Sequence, residues 1–393
     1  MTRLAPGLFV LACVAGCTAL AWPGDSPIVP QAGGALVGRS VFAWAFLALL
    51  AVGFLAYLAG LHRLARGGVP LRGVVVIALV VQLVPLAAPL MLSSDAWTYW
   101  MYGRIAVVHD ANPYEDPPSS FPDDPAYPWS GESWRDSTSV YAPGFTLASE
   151  PIALAAGKSH DAAAWIYKTL AALAACATVL LATRFAARPA LAAAFVGWNP
   201  LLAIHLAGGG HNDAWVGALL LAALATQARG VGWALGAAVK WVPYVLLPLH
   251  ALAARRRAGL GAFAVTTVVV AALATWRYGF AWLDAFGPLA DNARETTSYA
   301  LPHRLSQLGV SEGAAIALFA VLFACVYAVL AREAWRGRAR LGLASVALLA
   351  CAPYVTPWYL AWVVPLAAVE EDKLARGLAL AFTAYLLPQT IPV

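Results

Sequence analysis

A long apolar run in this chain ends in the stretch Ser93-Ser94-Asp95-Ala96-Trp97-Thr98-Tyr99-Trp100-Met101-Tyr102-Gly103-Arg104. It places the carboxylate of Asp95 among aromatic residues, directly after about 20 mostly apolar residues, a length that crosses a bilayer. A carboxylate there is costly unless it has a partner or a task. Asp95 is therefore a candidate functional residue. The alternative is that Ser93, Ser94 or Asp95 only caps the helix that follows.

The composition around this stretch is that of a membrane protein. Of 393 residues, 61% are hydrophobic and 11% are charged, whereas a soluble domain carries about 25% charged residues. The net charge of +5 is small, and the basic residues stand in short clusters between apolar runs, which does not predict a nucleic-acid partner. The cysteines all lie in apolar segments and predict neither disulfides nor a metal site: Cys13, Cys17, Cys176, Cys325 and Cys351.

Apolar runs of membrane-spanning length recur along the chain. We expect an all-α, polytopic transmembrane protein of about twelve spans, near residues 4–21, 37–60, 73–92, 142–157, 162–183, 190–206, 213–228, 232–252, 259–276, 311–330, 342–365 and 374–392. Met1-Thr2-Arg3 and Val14-Ala15-Gly16-Cys17 would also fit a cleaved lipoprotein signal, but a first transmembrane helix is favoured.

Clusters of arginine predict which loops face the cytoplasm. These clusters are Arg63, Arg66 and Arg72; Arg255, Arg256 and Arg257; and Arg332, Arg336, Arg338 and Arg340. They place loops 93–141 and 277–310 on the outer face of the cell (inner or plasma) membrane. Twelve simple crossings also put Arg184, Arg188 and Arg229 outside, which is unfavourable. Re-entrant half-helices at 142–157 and 232–252 would avoid this.

Residues 93–109 have the composition of a helix. At 100° per residue, Asp95, Tyr99, Tyr102 and Ala106 share one face. The opposite side carries Trp97, Trp100, Met101, Arg104 and Val108. We interpret the segment as a helix lying in the membrane interface, with Arg104 turned away from Asp95. Asn112-Pro113-Tyr114 ends the helix, and the prolines up to Pro128 predict an ordered or partly mobile, lid-like loop.

Two further stretches combine polar residues with apolar surroundings. Gly208-Gly209-Gly210-His211-Asn212-Asp213 is either a flexible link that caps the next helix or a backbone that approaches a sugar or phosphate, with His211 and Asp213 handling protons or hydrogen bonds. Lys240 lies several residues inside an apolar run. It either snorkels to the interface or supplies a counter-charge for a lipid phosphate.

Aromatic residues surround a proline in Tyr354-Val355-Thr356-Pro357-Trp358-Tyr359-Leu360-Ala361-Trp362. They suit either an interfacial belt or stacking on sugars and polyprenyl chains. His303-Arg304 could bind phosphate, but a solvated loop pair is favoured. The sequence lacks a phosphate-binding glycine loop, a zinc-protease helix and a nucleophile elbow, and Asp95 lies in no Asp-x-Asp metal motif.

In this order the motifs resemble those of integral-membrane glycosyltransferases of the type C fold, and in particular bacterial polyprenyl-phosphate-mannose-dependent mannosyltransferases. The resemblance covers about residues 73–370. It rests on Ser94-Asp95, Asn112-Pro113-Tyr114, Tyr141-Ala142-Pro143-Gly144, Asn199-Pro200 with Gly210-His211-Asn212-Asp213, Lys240 with Pro243, and Pro357-Trp358-Tyr359. The bulk of Trp97, Trp100 and Met101 beside Asp95 departs from the family pattern.

The resemblance implies that Asp95 in a large first outer loop is the catalytic base. The donor would be a polyprenyl-phosphate sugar, with mannose as the sugar, and the acceptor a membrane lipid or glycan in cell-envelope glycolipid biosynthesis. It implies no metal and no cofactor. The candidate substrate-binding residues are Tyr99, Tyr102, Arg104, Asn112, Tyr114, Tyr141, His211, Asn212, Asp213, Lys240, His303, Arg304, Trp358 and Tyr359.

Other functions fit part of the pattern. A transporter or flippase for a lipid-linked or small polar substrate would also have broken helices and an intramembrane lysine. It would be favoured by an internal repeat, and the two halves show no convincing one. A different type C enzyme would move another sugar to a glycan, lipid or protein, and a purely structural membrane protein is the outside case.

Overall fold

The computed structural model describes residues 3–225, 229–254, 259–292, 294 and 296–393. Within these ranges the chain is helical and has no strand, in agreement with the predicted all-α class. Arg255, Arg256 and Arg257, predicted to face the cytoplasm, lie outside the described residues.

The α-helices of the described part are α1 Ala5–Ala19, α2 Ser40–Ala65, α3 Leu71–Leu83, α4 Asp95–Val107, α5 Pro143–Ala156, α6 His160–Phe185, α7 Pro189–Gly197, α8 Pro200–Ala203, α9 Asp213–Ala225, α10 Arg229–Val239, α11 Val242–Ala254, α12 Leu260–Tyr278, α13 Phe286–Asn292, α14 Leu301–Ser306, α15 Glu312–Trp335, α16 Leu341–Cys351, α17 Leu360–Val369 and α18 Lys373–Leu386.

Several of these helices have the length and composition of membrane spans. Among the described residues they are α2, α6, α12 and α15, with a fifth if α7 and the segment Pro200–Gly208, bent by 51° from it, form one span. Helices α12 and α15 expose Val265, Val268, Leu318 and Val321, each by more than half. Such rows of exposed aliphatic side chains suit contact with lipid. The chain therefore has the features of a polytopic membrane protein, and the count of twelve spans stays a prediction.

Contacts between helix termini show which termini lie at the same end of the helix bundle. At one end, which we call the site end, Asp95, Asp213 and Lys240 lie together. At the other, which we call the arginine end, Arg340 pairs with Asp372 at 2.6 Å. Arg376 there donates to the carbonyl oxygen of Ala367. Charged groups thus gather at both ends of the helices, as the polar boundaries of a membrane require.

Helix α5 starts and finishes at the site end. Tyr141 lies just before it, and Gly157, just after it, accepts a hydrogen bond from Arg104 of α4. His160, the first residue of α6, accepts a hydrogen bond from the indole of Trp97 at 2.9 Å. These contacts favour the re-entrant alternative for 142–157, because α6 then runs from the site end and brings Arg188 near Arg376.

Two predicted spans are interrupted at the site end. Residues 232–252 form α10 and α11, which meet at Lys240 and Trp241, and residues 342–365 form α16 and part of α17, separated by residues 352–359. Irregular backbone at membrane depth is tolerated where it is buried in protein or lines a cavity. Ala352, Pro353 and Tyr354 of the second interruption line the cavity described below.

Helix α4 is a core helix rather than an interfacial one, so that interpretation of residues 93–109 was wrong. Every residue from Ala96 to Ala106 is buried, including the supposed interfacial residues Trp97, Trp100 and Met101. Gly103 permits this packing, since a Cβ there would lie 2.4 Å from the carbonyl oxygen of Ser149 in α5. Periodicity distinguished the faces of the helix, but could not show that protein covers all of them.

The loop after α4 folds back over this helix. Short 3₁₀ turns run through it at Pro118–Ser120, Tyr127–Trp129 and Glu132–Trp134. Arg104 forms a paired salt bridge with Asp124 at 2.8 and 3.0 Å, and both side chains are buried. His109 also contacts Asp124, at 2.7 Å. The lid-like loop is thus anchored by a buried ion pair.

Replacing Asp124 with Asn is expected to lower the free energy of unfolding by about 3–5 kcal/mol, because it leaves the buried Arg104 without its counter-charge. Burial raises the pKa of Asp124, but the hydrogen bonds from Arg104 outweigh this effect, so the pKa of the folded protein lies below the usual value. The carboxylate therefore contributes its full stability above pH 3.8 and loses it as the pH falls through the lower, folded-state pKa. Thermal unfolding of purified protein measures the loss. Exposed Asp123→Asn is the control, and equal melting temperatures for both variants would contradict the prediction.

Candidate active site

Asp95 is the first residue of α4 and does not cap it. The backbone N–H of Asp95 donates to Ser93 Oγ at 3.1 Å, and the structure shows no side-chain cap from Ser94. The preceding Leu92 has a φ of 61°, which is unusual for a residue with a Cβ. The chain thus turns sharply into the helix. The Asp95 side chain keeps 17% of its surface exposed.

The carboxylate of Asp95 faces a histidine and a tyrosine. His211 Nδ1 lies 3.3 Å from Oδ2, and the Tyr99 hydroxyl donates to the same oxygen at 3.4 Å. Burial raises the pKa of Asp95, but the His211 imidazole 3.3 Å away, with smaller effects of Ser93 and Lys240, brings this pKa below its usual value. Asp95 is therefore ionised at neutral pH, as a general base must be.

The glycine-rich link positions His211. It follows a π-helical turn, Ile204–Gly208, and Gly210 has a φ of 72°. A Cβ on Gly210 would also lie 3.3–3.4 Å from Lys168 and Ala96, so the link passes close to the start of α4. His211 is fully buried and stacks on Trp358, with ring centroids 3.7 Å apart. Stacking fixes the imidazole plane beside Asp95.

Lys240 is held by Asp213 beside the same site. Its Nζ lies 2.9 and 2.8 Å from the two carboxylate oxygens of Asp213, which is fully buried. Trp362 Nε1 donates to Asp213 at 3.1 Å, and Lys240 Nζ lies 4.4 Å from the ring centre of Tyr359. Lys240 therefore lies at a helix break in an ion pair, rather than snorkelling from mid-helix. The Asp213 carboxylate thus accepts hydrogen bonds from both Lys240 and Trp362.

A cavity of about 210 Å³ opens between these groups. Six candidate residues line it: Asp95, Tyr99, Tyr141, Lys240, Trp358 and Tyr359. His211 and Asp213 lie directly behind this wall, in contact with Asp95 and Lys240. Aromatic rings with one carboxylate and one ammonium group suit a sugar phosphate, because rings stack on sugars and the cation meets the phosphate.

Four other candidates bind protein groups within and around the first loop. Tyr102 donates to the carbonyl oxygen of Ser137, and Tyr114 donates to Thr146 Oγ1, both at 2.8 Å. Asn112 donates to the carbonyl oxygen of Tyr278 at 2.9 Å, and Arg104 pairs with Asp124 as described above. The structure places these four outside the cavity lining, where they fix the loop that covers the site.

The remaining candidates lie apart or buried. His303 contacts Thr296 Oγ1 at 2.9 Å, and Arg304 donates to the Tyr385 hydroxyl at 3.1 Å. Neither lines the cavity. Asn212 is buried, and its amide has no hydrogen-bond partner within the described part of the chain. The structure gives these three no direct contact with Asp95.

Sequence reasoning missed several residues of the site. Trp134 and Trp241 also line the cavity, and so does Tyr354, which belongs to the predicted aromatic cluster but not to the candidate binding residues. Lys168 in α6 is fully buried and donates to the carbonyl oxygens of Ala88 and Pro89, in the segment that leads to Asp95. A single lysine inside a predicted span is an available signal, because such residues are functional candidates by default.

Over the described ranges, no cluster of three His, Cys, Asp or Glu side chains could hold a metal ion. The expectation of a reaction without metal or cofactor stays a prediction. The described structure also contains no disulfide, and all five cysteines are free thiols.

Comparisons with known proteins identify the family. A family model described as alpha-(1->6)-mannopyranosyltransferase, N-terminal domain, matches residues 6–274, and one described as MptB C-terminal domain matches residues 300–392. A probable alpha-(1->6)-mannopyranosyltransferase of Mycolicibacterium smegmatis is 25% identical, in a match covering 76% of this chain and 65% of the relative. Alpha-(1->6)-mannopyranosyltransferase A of Corynebacterium glutamicum is 29% identical, over 53% and 50%.

The chain thus spans half to two thirds of the length of these curated relatives. No solved structure matches it. The first family model alone covers more than half of the chain. The chain therefore belongs to the alpha-(1->6)-mannopyranosyltransferase family.

Proposed function

We propose that the protein is a membrane mannosyltransferase. It moves mannose from a polyprenyl-phosphate donor to a hydroxyl group of a lipid or glycan acceptor, with Asp95 as the base. The observation that carries this proposal is the ionised Asp95 carboxylate in the wall of an aromatic cavity that also contains Lys240. The names of both relatives support mannose as the sugar and an α-(1→6) linkage.

The proposed step is a single displacement. The acceptor oxygen attacks the anomeric carbon and forms the new glycosidic bond while Asp95 takes its proton. The bond between the anomeric carbon and the phosphate oxygen breaks, and the phosphate leaves with the electron pair. Lys240 stabilises that developing charge, since an ammonium group has three donors and only two directions are taken by Asp213.

The surroundings of Trp241 suit the lipid part of the donor. This residue lines the active-site cavity and also a small apolar pocket of about 30 Å³ between α10, α11 and α12. Tyr244, Trp282 and Val270 line the pocket further out. In this proposal the polyprenyl chain runs outward over this apolar surface with its phosphate against Lys240, because apolar surface favours hydrocarbon over water. The pocket itself is too small to enclose the chain.

The arrangement of charges supports an active site on the outer face. Asp95 and the acidic loop after it lie at the site end, whereas Arg340 and Arg376 lie at the arginine end. Positive residues favour the cytoplasmic side. No described feature specifically favours a transporter.

Purified protein, incubated with radiolabelled polyprenyl-phosphate-mannose and membrane lipid acceptors, tests the proposal. Transfer of label to an acceptor is expected, whereas polyprenyl-phosphate-glucose should give none. No transfer from any donor in a panel of polyprenyl-phosphate sugars, with uptake of label into protein-containing vesicles instead, would overturn it.

Replacing His211 with Gln is expected to shift the acid limb of the pH–rate profile to higher pH. Burial alone would raise the pKa of Asp95, and His211 is the first of the groups that lower it. Without His211 the pKa of Asp95 rises, so the variant should lose kcat/KM at a pH where the wild type is still active. His62→Gln, an exposed histidine at the arginine end, is the control. Superimposable profiles for H211Q and wild type would contradict the prediction.

A further inference from the structure

Asp95 also forms part of a second cavity. This cavity has a volume of about 620 Å³ and opens to solvent. It shares Asp95 and Trp134 with the aromatic cavity. The rest of its lining comes from residues 33–35, 93–94 and 131–133. Asp95 therefore borders two cavities.

Two glycine turns from distant parts of the chain build this second cavity. In the turn 31–35, the N–H of Gly34 donates to the carbonyl oxygen of Gln31 at 2.8 Å, and Gly34 has a φ of 83°. A Cβ on Gly34 would lie 2.6 Å from Ser94 Oγ, and one on Gly131 would lie 2.9 Å from the same atom. Gly34 thus needs glycine for its positive φ, and both turns pack closely on Ser94, next to Asp95.

The chemistry of the second cavity differs from that of the first. It contains the hydroxyl groups of Ser93, Ser94 and Ser133 and the carboxylate of Glu132, and its lining residues include no Lys or Arg in the part of the chain described. A carboxylate accepts hydrogen bonds from the hydroxyl groups of a neutral polyol, and serine hydroxyls both accept from and donate to them. A negatively charged phosphate would meet the carboxylates of Glu132 and Asp95 there. The nearest guanidinium, that of Arg135, would lie 3.5 Å from a Cβ on Gly33, but it does not line the cavity and donates to the carbonyl oxygen of Pro128 at 3.2 Å. The lining therefore favours a neutral, polyhydroxylated ligand.

The position of the second cavity matches the geometry of the proposed reaction. In a single displacement the attacking oxygen and the leaving oxygen lie on opposite sides of the anomeric carbon. The leaving phosphate belongs near Lys240, in the first cavity. The attacking hydroxyl must reach Asp95 from elsewhere, and the second cavity borders Asp95 and opens to solvent.

We propose that this second cavity is the acceptor site. It takes the terminal sugar of a glycan or glycolipid, and Glu132 hydrogen-bonds the hydroxyl groups of that sugar and sets acceptor preference. The inference rests on the proposed function, and it adds the turn 31–35 and the turn 131–134 to the residues that determine specificity.

The test compares steady-state kinetics of Glu132→Ala and Ser133→Trp with wild type, using polyprenyl-phosphate-mannose as donor and an octyl mannoside as acceptor probe. E132A removes one charged hydrogen-bonding group and is expected to raise the acceptor KM about 10-fold. S133W fills the open cavity and should raise it further. The donor KM should stay at its wild-type value, and melting temperatures close to that of wild type show that both variants fold. Asp136→Ala, an exposed acidic residue of the same loop, is the matched control.

Two results would overturn the acceptor assignment. An unchanged acceptor KM in both variants would show that the acceptor does not bind there. A parallel rise of donor and acceptor KM would show that the cavity belongs to the donor. In either case the proposed function would still stand if Asp95→Asn abolishes transfer. Transfer at the wild-type rate by Asp95→Asn would instead contradict the proposed function itself.

Discussion

Replacing Asp95 with Asn is expected to slow mannosyl transfer by about 10²–10⁴-fold, the usual contribution of a general base. The amide has almost the same shape as the carboxylate and can still accept the hydrogen bond from Tyr99. Its backbone N–H keeps the bond to Ser93 Oγ. The loss should therefore lie in kcat, while the donor KM and the melting temperature stay close to wild type.

The matched control for this variant is Asp110→Asn. The Asp110 side chain is 94% exposed and belongs to the same loop, but does not line the cavity. Radiolabelled transfer from polyprenyl-phosphate-mannose measures both variants. If D95N transfers mannose at the wild-type rate, Asp95 is not the base and the mechanism fails.

The residue types of the site could be predicted because each is unusual in its local sequence. Asp95 and Lys240 are charged groups beside or within apolar runs, and three glycines precede His211. Such residues are costly in a membrane protein, so a single sequence already selects them. Six of the candidate catalytic and binding residues, Asp95 and Lys240 among them, line one cavity in the structure.

The pairing of these groups could not be predicted. Asp213 and Lys240 are 27 residues apart, and Arg104 and Asp124 are 20 apart in a loop without regular periodicity. Sequence patterns give the face of a helix, but they do not show which distant segment packs on it. For this reason α4 was assigned to the membrane interface, although the loop and α5 cover it completely.

Hydropathy was informative about the fold, but less so about where helices break. Hydropathy alone shows no break in the apolar runs 232–252 and 342–365. Only Lys240 and Pro243 in the first run, and Pro353 and Pro357 in the second, mark the irregular segments. Both breaks lie at the cavity. At the cavity, the backbone N–H and C=O groups that lose their helical partners at each break can form hydrogen bonds with protein groups or water. Hydropathy does not measure this possibility.

Replacing Lys240 with Met is expected to have two separate effects. It leaves the fully buried carboxylate of Asp213 without its counter-charge, which should lower the free energy of unfolding by about 3–5 kcal/mol. It also removes the cation that the proposed mechanism places beside the leaving phosphate, and loss of one such stabilising group is expected to lower kcat by about 10²–10³-fold. A melting temperature and a transfer rate for K240M alone would not separate these effects.

The double variant Lys240→Met with Asp213→Asn separates them. Asparagine removes the buried charge and can still accept the hydrogen bond from Trp362, so the melting temperature should return toward wild type. The transfer rate should stay low, because the cavity still lacks its cation. Asp213→Asn alone keeps Lys240 and is the control for the change at 213. Recovery of transfer together with stability in the double variant would show that Lys240 serves only to neutralise Asp213, and the leaving phosphate would then need another partner.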